Sequence, residues 1–231
     1  MKVIIRIGIC ILNIIYFFMK LLPQQKKVVF LSRQSDSPSL DITMLQDKIT
    51  ELHPEYETVV LCKKLNHDMQ SAIDYCSHMM HQMYHLATAE VAILDSYCIA
   101  VSILHHRKKL LIIQMWHSVG TMKKFGYSIL DKPEGSSSEI AKLMKMHANY
   151  DYILAAGEGY KEHLAEGFQY PLEKIVTLPL PRVERLKNQK YQNEMLWKIF
   201  EVYPKLSFKI NILYIPTFRK VNDTAFLSAL W

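Results

Sequence analysis

Residues 114–128, QMWHSVGTMKKFGYS, place Trp116 and His117 just after the apolar run LLII at 110–113, followed by Gly120, lysines at 123 and 124, and Gly126. No carboxylate falls within this stretch. An unperturbed imidazole titrates near ~6.5 and in its neutral form can take a proton from a hydroxyl at physiological pH. Lys123 and Lys124 would suit phosphate oxygens, and Gly120 and Gly126 would let the backbone approach a ligand closely. The chemistry this pattern supports is activation of an alcohol beside a phosphate group. A histidine satisfied by a hydrogen bond in the core would look the same locally, and from these residues alone the two readings weigh equally.

Such a base needs a strand to carry it. After Pro23 the chain alternates short apolar runs with amphipathic stretches: VVFLS (28–32), TVVLC (58–62), VAILD (91–95), LLIIQMW (110–116), YILAA (152–156) and IVTL (175–178) read as strands buried on both faces. Residues 40–52, 68–86, 136–147 and 158–166 have helical spacing. Alternation of this kind predicts an α/β fold, a Rossmann-like parallel sheet with helices on both faces. Ligands in such sheets bind beyond the carboxyl ends of the strands. The loop 32–41, the stretch from Asp95 and the His117 motif all fall on that edge.

Other chemistries fare worse. His78, His81 and His85 share one predicted helix, but no HExxH and no carboxylate accompany them, so a polar helix face is the simpler reading and no metal is assigned. G-x-S-x-G, the P-loop and G-x-G-x-x-G are missing, and seven glycines in 231 residues leave no Gly-rich phosphate cradle. Four isolated cysteines read as small buried hydrophobes in a reducing compartment. No cofactor is implied. The formal charge is +6, gathered in patches that suit an anionic membrane or a phosphorylated substrate; no nucleic-acid-binding motif accompanies them.

The amino-terminal run VIIRIGICILNIIYFFMKLL (3–22) carries Arg6, Asn13 and Lys20 at intervals of seven, on one helical stripe. Residues 1–24 are therefore read as an amphipathic helix lying on an anionic membrane, with Ile7, Ile11, Ile14, Phe17, Phe18 and Leu21 as its apolar face. A transmembrane anchor and an ordinary buried helix are the alternatives. Residues 25–185 form the expected Rossmann-like domain. From 186 to 231, a polar helix precedes a buried strand at INILYIPTFRK (210–220).

LLIIQMWHSVGTMKKFGYS resembles the Trp-His-Gly and Lys-Lys-x-Gly signature of the CDP-glycerol glycerophosphotransferase family, the teichoic acid primases and polymerases of Gram-positive bacteria. Five further blocks resemble the family in order: VVFLSRQSDSPSLD, VAILDSYCIAVSI, SEIAKLMKMHANYDYILAAGE, PLPRVERL and ILYIPTFR. The resemblance implies that the Rossmann-like domain is the amino-terminal, acceptor-side half of a GT-B glycosyltransferase. It implies transfer of glycerol phosphate, or another polyol phosphate, from a CDP-linked donor to a hydroxyl of a lipid-linked glycan acceptor, at the cytoplasmic face of the bacterial plasma membrane. His117 would be the general base. Arg33, Ser35, Asp41, Asp95, Lys123 and Lys124 would be acceptor or phosphate contacts, with Trp116, Ser118, Gly120 and Gly126 supporting the motif. For the six contact residues, loop-capping or solvated roles weigh at least as much.

Ser118 departs from the family pattern, which has glycine there. The family also continues past ILYIPTFR into a second domain with most of the donor site, so residues 186–231 would be a linker helix and the first strand of an incomplete donor domain. Two other readings accompany this one: a non-catalytic, membrane-associated binding remnant, and a GT-B transferase using another nucleotide-sugar donor.

Overall fold

Runs of Val, Ile and Leu become a six-stranded parallel sheet in the computed structural model of the protein, which describes residues 2–64, 69–120 and 123–213. The strands are β1 (Lys27–Ser32), β2 (Glu57–Cys62), β3 (Val91–Leu94), β4 (Leu111–Gln114), β5 (Tyr152–Ala155) and β6 (Ile175–Thr177). The helices are α1 (Lys2–Met19), α2 (Leu40–Leu52), α3 (Met69–Thr88), α4 (Ile99–Ile103), α5 (Ser138–Leu143), α6 (Lys161–Phe168), α7 (Pro181–Lys187) and α8 (Gln189–Val202).

All six residues of β1 are buried, which is why its sequence is almost uninterrupted apolar rather than alternating. Val29 and Leu31 point into a core shared with α1, α3, α4 and α6, whereas Val28 and Phe30 face Ile42, Leu45 and Ile49 of α2. Helices on both faces follow from this. Each buried Leu or Phe contributes roughly 1.5–3 kcal/mol of transfer free energy.

The strand order is β2-β1-β3-β4-β5-β6. From β1 the chain adds β2 on one side and then crosses to lay β3 on the other, so the winding reverses between β1 and β3. Helices after the two strands leave on opposite faces, opening a crevice at their carboxyl ends. That crevice is where the loops from Ser32, Asp95 and Trp116 emerge.

Four elements differ from the sequence expectations. The helix expected over 136–147 stops after Leu143, and Lys145, His147 and Asn149 adopt left-handed φ of 47°, 61° and 73°. Asn149 justifies the break: its side-chain amide donates to the carbonyls of Val101, Ser102 and Leu104, tying off the end of α4. The stretch after Asp95, read as loop, contains α4 itself, too short to show a period. α7 was likewise unmarked.

The fourth difference concerns α1. Asn13 donates to the carbonyl of Ile103 and accepts from the His105 N–H, and Lys20 donates to the His105 carbonyl at 2.6 Å. Tyr16 is 1% exposed and its hydroxyl meets His106 at 2.8 Å. Much of the polar stripe therefore faces the protein, because these residues satisfy backbone groups in the α4–β4 connection. Ile4, Ile7, Ile11, Ile14, Phe17, Phe18 and Leu21 are left 51–74% exposed.

Residues up to Glu184 form one compact unit and a second begins at Arg185. In the second, Asn188 caps α8 by accepting from the Tyr191 N–H. Residues 210–213 have no regular structure, and the rest of the strand expected over 210–220 lies outside the described residues.

Candidate functional site

Gln114, the last residue of β4, is a fully buried polar side chain in an apolar strand. Its amide donates to the Ser96 carbonyl at 3.1 Å and accepts from the Trp116 N–H at 2.9 Å, so both of its functions are satisfied. This bridge bends the chain as it leaves the sheet. Trp116 takes a left-handed φ of 61°, a conformation costing a bulky residue on the order of 1–3 kcal/mol. Its indole lies on Phe125 with ring centres 4.6 Å apart and meets the edge of Phe168 at 5.1 Å.

The turn delivers His117 to the crevice. Its ring packs on the Trp116 indole, centres 4.1 Å apart, and Nδ1 lies 2.8 Å from the backbone carbonyl of Asp95. The Gln34 side-chain amide lies 3.3 Å from the same nitrogen. Asp95 is 1% exposed and accepts from the Ser32 hydroxyl at 2.9 Å, joining the ends of β3 and β1. Burial pushes its carboxyl above the usual range, partly offset by the Ser32 hydrogen bond. One carboxylate oxygen, Oδ1, has no hydrogen-bond partner among the described residues.

Beside this group lies a cavity of about 370 Å³ bordered by Arg33, Gln34, Tyr97, Trp116, Phe125 and Glu134, among others. Arg33 enters from the β1 loop, anchored by its N–H on the Ser96 hydroxyl at 2.9 Å. Its guanidinium packs against the faces of Tyr75 and Tyr97, 5.7 and 5.6 Å from the ring centres, and donates once to the Tyr97 carbonyl. The cavity therefore has an aromatic wall, one held cation and one carboxylate, Glu134, at its border.

Of the residues singled out in the sequence, Trp116, His117, Arg33 and Asp95 converge here, although Asp95 presents its backbone carbonyl rather than its carboxylate to His117. Ser118 follows half-buried. Ser35 spends its hydroxyl inside its own loop, against Ser37. Asp41 is committed elsewhere: fully buried, it accepts from the Arg182 backbone N–H at 2.9 Å and from its guanidinium at 2.6 Å. Lys124 pairs with Glu166 at 3.9 Å on the surface, and Lys123 is exposed. Neither lysine borders the cavity.

Gly126 borders the cavity, and both motif glycines make close approaches to protein. A Cβ on Gly126, at φ 55°, would stand 2.2 Å from the Gly167 carbonyl oxygen; one on Gly120 would meet the Tyr160 hydroxyl at 3.0 Å. Gln34, Tyr97 and Phe125 went unremarked in the sequence. Phe125 sits inside the quoted motif, between the lysines and Gly126, and an aromatic at that point was the available signal. Among the described residues, no group of three or more His, Cys, Asp or Glu is placed to hold a metal ion.

The chain is 35% identical over 200 residues to the teichoic acid ribitol-phosphate primase of Bacillus spizizenii, covering 86% of this chain and 51% of that protein. It is 28% identical over 145 residues to the teichoic acid glycerol-phosphate primase of Bacillus subtilis, covering 63% and 36%. Among solved structures, the wall teichoic acid polymerase TagF superposes with a TM-score of 0.62 at 17% identity, covering 87% of this chain and 50% of that one. The chain thus spans about half the length of the ribitol-phosphate primase and of TagF. The model of the CDP-glycerol:poly(glycerophosphate) glycerophosphotransferase family matches residues 14–230, nearly the whole length, and the chain belongs to that family.

Proposed function

We propose that this chain is the acceptor-side half of a CDP-polyol phosphotransferase of teichoic acid synthesis, one Rossmann-like lobe of a GT-B arrangement. The observation that carries this reading is the 2.8 Å contact between His117 Nδ1 and the Asp95 carbonyl. A carbonyl only accepts, so Nδ1 is the nitrogen that donates, and in the neutral ring the lone pair a general base requires then lies on Nε2. In the reaction, the acceptor hydroxyl passes its proton to Nε2 while its oxygen attacks the β-phosphorus of the CDP-linked donor. The bond from that phosphorus to the bridging oxygen breaks, and CMP leaves. Arg33 holds an acceptor phosphate, and the Trp116–Phe125 wall takes the apolar face of the polyol or sugar. Lys123 and Lys124 serve a more distant stretch of the anionic acceptor.

Residues 186–231 are a linker helix and the start of the donor lobe, which supplies the nucleotide site. The enzyme works peripherally at the cytoplasmic face of the plasma membrane on a lipid-linked glycan, and α1 is its membrane-associating element. The named relatives include ribitol-phosphate and glycerol-phosphate primases, which supports a polyol phosphate as the transferred group.

The test joins this chain to the carboxyl-terminal half of the Bacillus spizizenii ribitol-phosphate primase. The product is incubated with a lipid-linked acceptor and labelled CDP-ribitol, CDP-glycerol or UDP-glucose. CMP release from a CDP-polyol that vanishes in His117→Ala is the expected result. Turnover retained in His117→Ala defeats the base assignment, and consumption of UDP-glucose identifies a GT-B transferase with another donor. Acceptor binding without turnover on any donor identifies a non-catalytic remnant.

A further inference from the structure

Between α1 and α5 lies a second cavity, of about 460 Å³, bordered by Lys2, Arg6, Lys142 and Lys145 and by one acid, Glu139. Glu139 pairs with Lys2 at 2.7 Å, which leaves Arg6, Lys142 and Lys145 in excess around the cavity. Lys145 donates to His105 Nε2 at 3.3 Å, using one of the three N–H bonds an ammonium offers. Three cations in excess suit a ligand with several anionic oxygens.

Residues 142–147 stand between this cavity and the one beside His117. Lys142, Leu143 and Lys145 border the basic side, and Met146 and His147 border the other. Lys145 and Met146 are consecutive, with Cα atoms about 3.8 Å apart, so at that point the wall is a single thickness of backbone. Left-handed φ of 47° at Lys145 and 61° at His147 accompany this change of side. Tyr127 fixes the wall by donating to the Met146 carbonyl at 2.8 Å. The two borders also meet at the start of α5, where Ser136 belongs to the catalytic cavity and Glu139 to the basic one.

Lys2, Arg6 and Ile9 continue the stripe of Asn13, Tyr16 and Lys20 that faces the protein, whereas Ile4, Ile7, Ile11 and Ile14 are exposed on the other side of α1. The cavity thus lies away from the apolar ridge, a position that favours a water-soluble polyanion over a lipid headgroup. The transfer proposed above joins a polyol phosphate to a hydroxyl and leaves a phosphodiester with one negative charge. An acceptor already extended therefore carries a row of such charges. We propose that the basic cavity binds phosphodiesters of the acceptor one or more units behind the reactive hydroxyl, with Arg6, Lys142 and Lys145 as the contacts. The inference rests on the polyol-phosphate reading above and adds a preference for length: an extended acceptor that crosses the wall is held at two points, and an unextended one only beside His117.

The experiment titrates the full chain into a fluorophore-labelled, lipid-free oligo(glycerol phosphate) and reads anisotropy. No donor or turnover enters, so failure of this binding and failure of the transferase reading are separate results. An exposed ion pair contributes up to about fivefold, so Arg6→Gln, Lys142→Gln and Lys145→Gln together should weaken binding by roughly ten- to a hundredfold. Arg6→Gln alone and Lys142→Gln alone should each weaken it a few-fold. All three positions are exposed, and an unchanged melting temperature shows that the variants fold. Lys26→Gln, Lys108→Gln and Lys109→Gln remove the same charge from exposed positions outside the cavity and should change binding little. An equal loss in that control shows attraction by net charge and overturns the proposal. No binding by the unmodified chain, or undiminished binding by the first triple variant, also overturns it. If that variant keeps the oligomer but no longer floats with phosphatidylglycerol vesicles, the cavity is a headgroup site instead. Full displacement of the oligomer by inorganic phosphate at matched total phosphate shows a single-anion site and refutes the length preference.

Discussion

His117 hangs from the backbone carbonyl of Asp95, 2.8 Å from its Nδ1, so a residue at the end of β3 sets the tautomer of an imidazole at the end of β4. A carbonyl cannot be protonated in the working range, so this orientation does not depend on the state of any carboxylate. The Asp95 side chain meanwhile binds Ser32 and fixes the carbonyl that does the orienting.

Replacing His117 by Gln keeps a polar side chain but removes the base. In the joined enzyme described above, turnover should fall by about 10²–10⁴-fold, the usual contribution of general base catalysis, with KM for acceptor nearly unchanged. Steady-state CMP release checks this. A loss confined to KM would mean that His117 only binds.

Gly126→Ala should destabilise the fold by more than about 2 kcal/mol. Its Cβ would sit 2.2 Å from a backbone oxygen of α6, where no flexible atom can yield, and its φ of 55° disfavours any side chain. Gly167→Ala drives a Cβ to 2.5 Å from the Phe125 ring and should tilt that ring off Trp116. Denaturant melts measure the first effect, and near-ultraviolet circular dichroism detects the second.

Arg182→Ala should cost about 3 kcal/mol. It strips the buried Asp41 of its guanidinium partner while the carboxylate stays 0% exposed. Arg182→Ala combined with Asp41→Asn should recover part of that loss, because no uncompensated charge remains. Urea midpoints for the two variants decide it.

Stability should fall as pH drops from about 6.5 to about 4. Burial pushes both His106 and His147 down to about 4, so in that window the unfolded chain binds protons that the folded one refuses. Each group can contribute up to about 3 kcal/mol, fully present above pH ~6.5 and lost toward pH ~4. His106 is held neutral between the Tyr16 hydroxyl and the Val101 carbonyl, so His106→Gln should flatten part of the slope. Thermal melts at intervals between pH 7 and pH 4 test the prediction, and a flat profile in the unmodified chain would refute it.

Local pattern determined much of this protein. Six strands, their parallel arrangement and the placing of the Ser32, Asp95 and His117 loops on one edge all follow from apolar runs alternating with helical spacing, although the edge strands β2 and β6 are not buried on both faces as their sequences suggest. These are nearest-neighbour properties, which a sequence displays directly. The Trp-His pair after LLII marked the candidate base for the same reason. Contacts between distant residues were decided only by the tertiary structure. Asp41 looked like a loop acid until Arg182, 141 residues away, took both of its oxygens. Gly126 does border the cavity, but the need for glycine there comes from α6, which fills the space a side chain would take. The side of α1 that meets the protein could not be read from its amphipathic period, which gives two faces without saying which is covered. Asn13, Tyr16 and Lys20 found backbone and imidazole partners near residues 103–106, so the hydrophobic side remained outside.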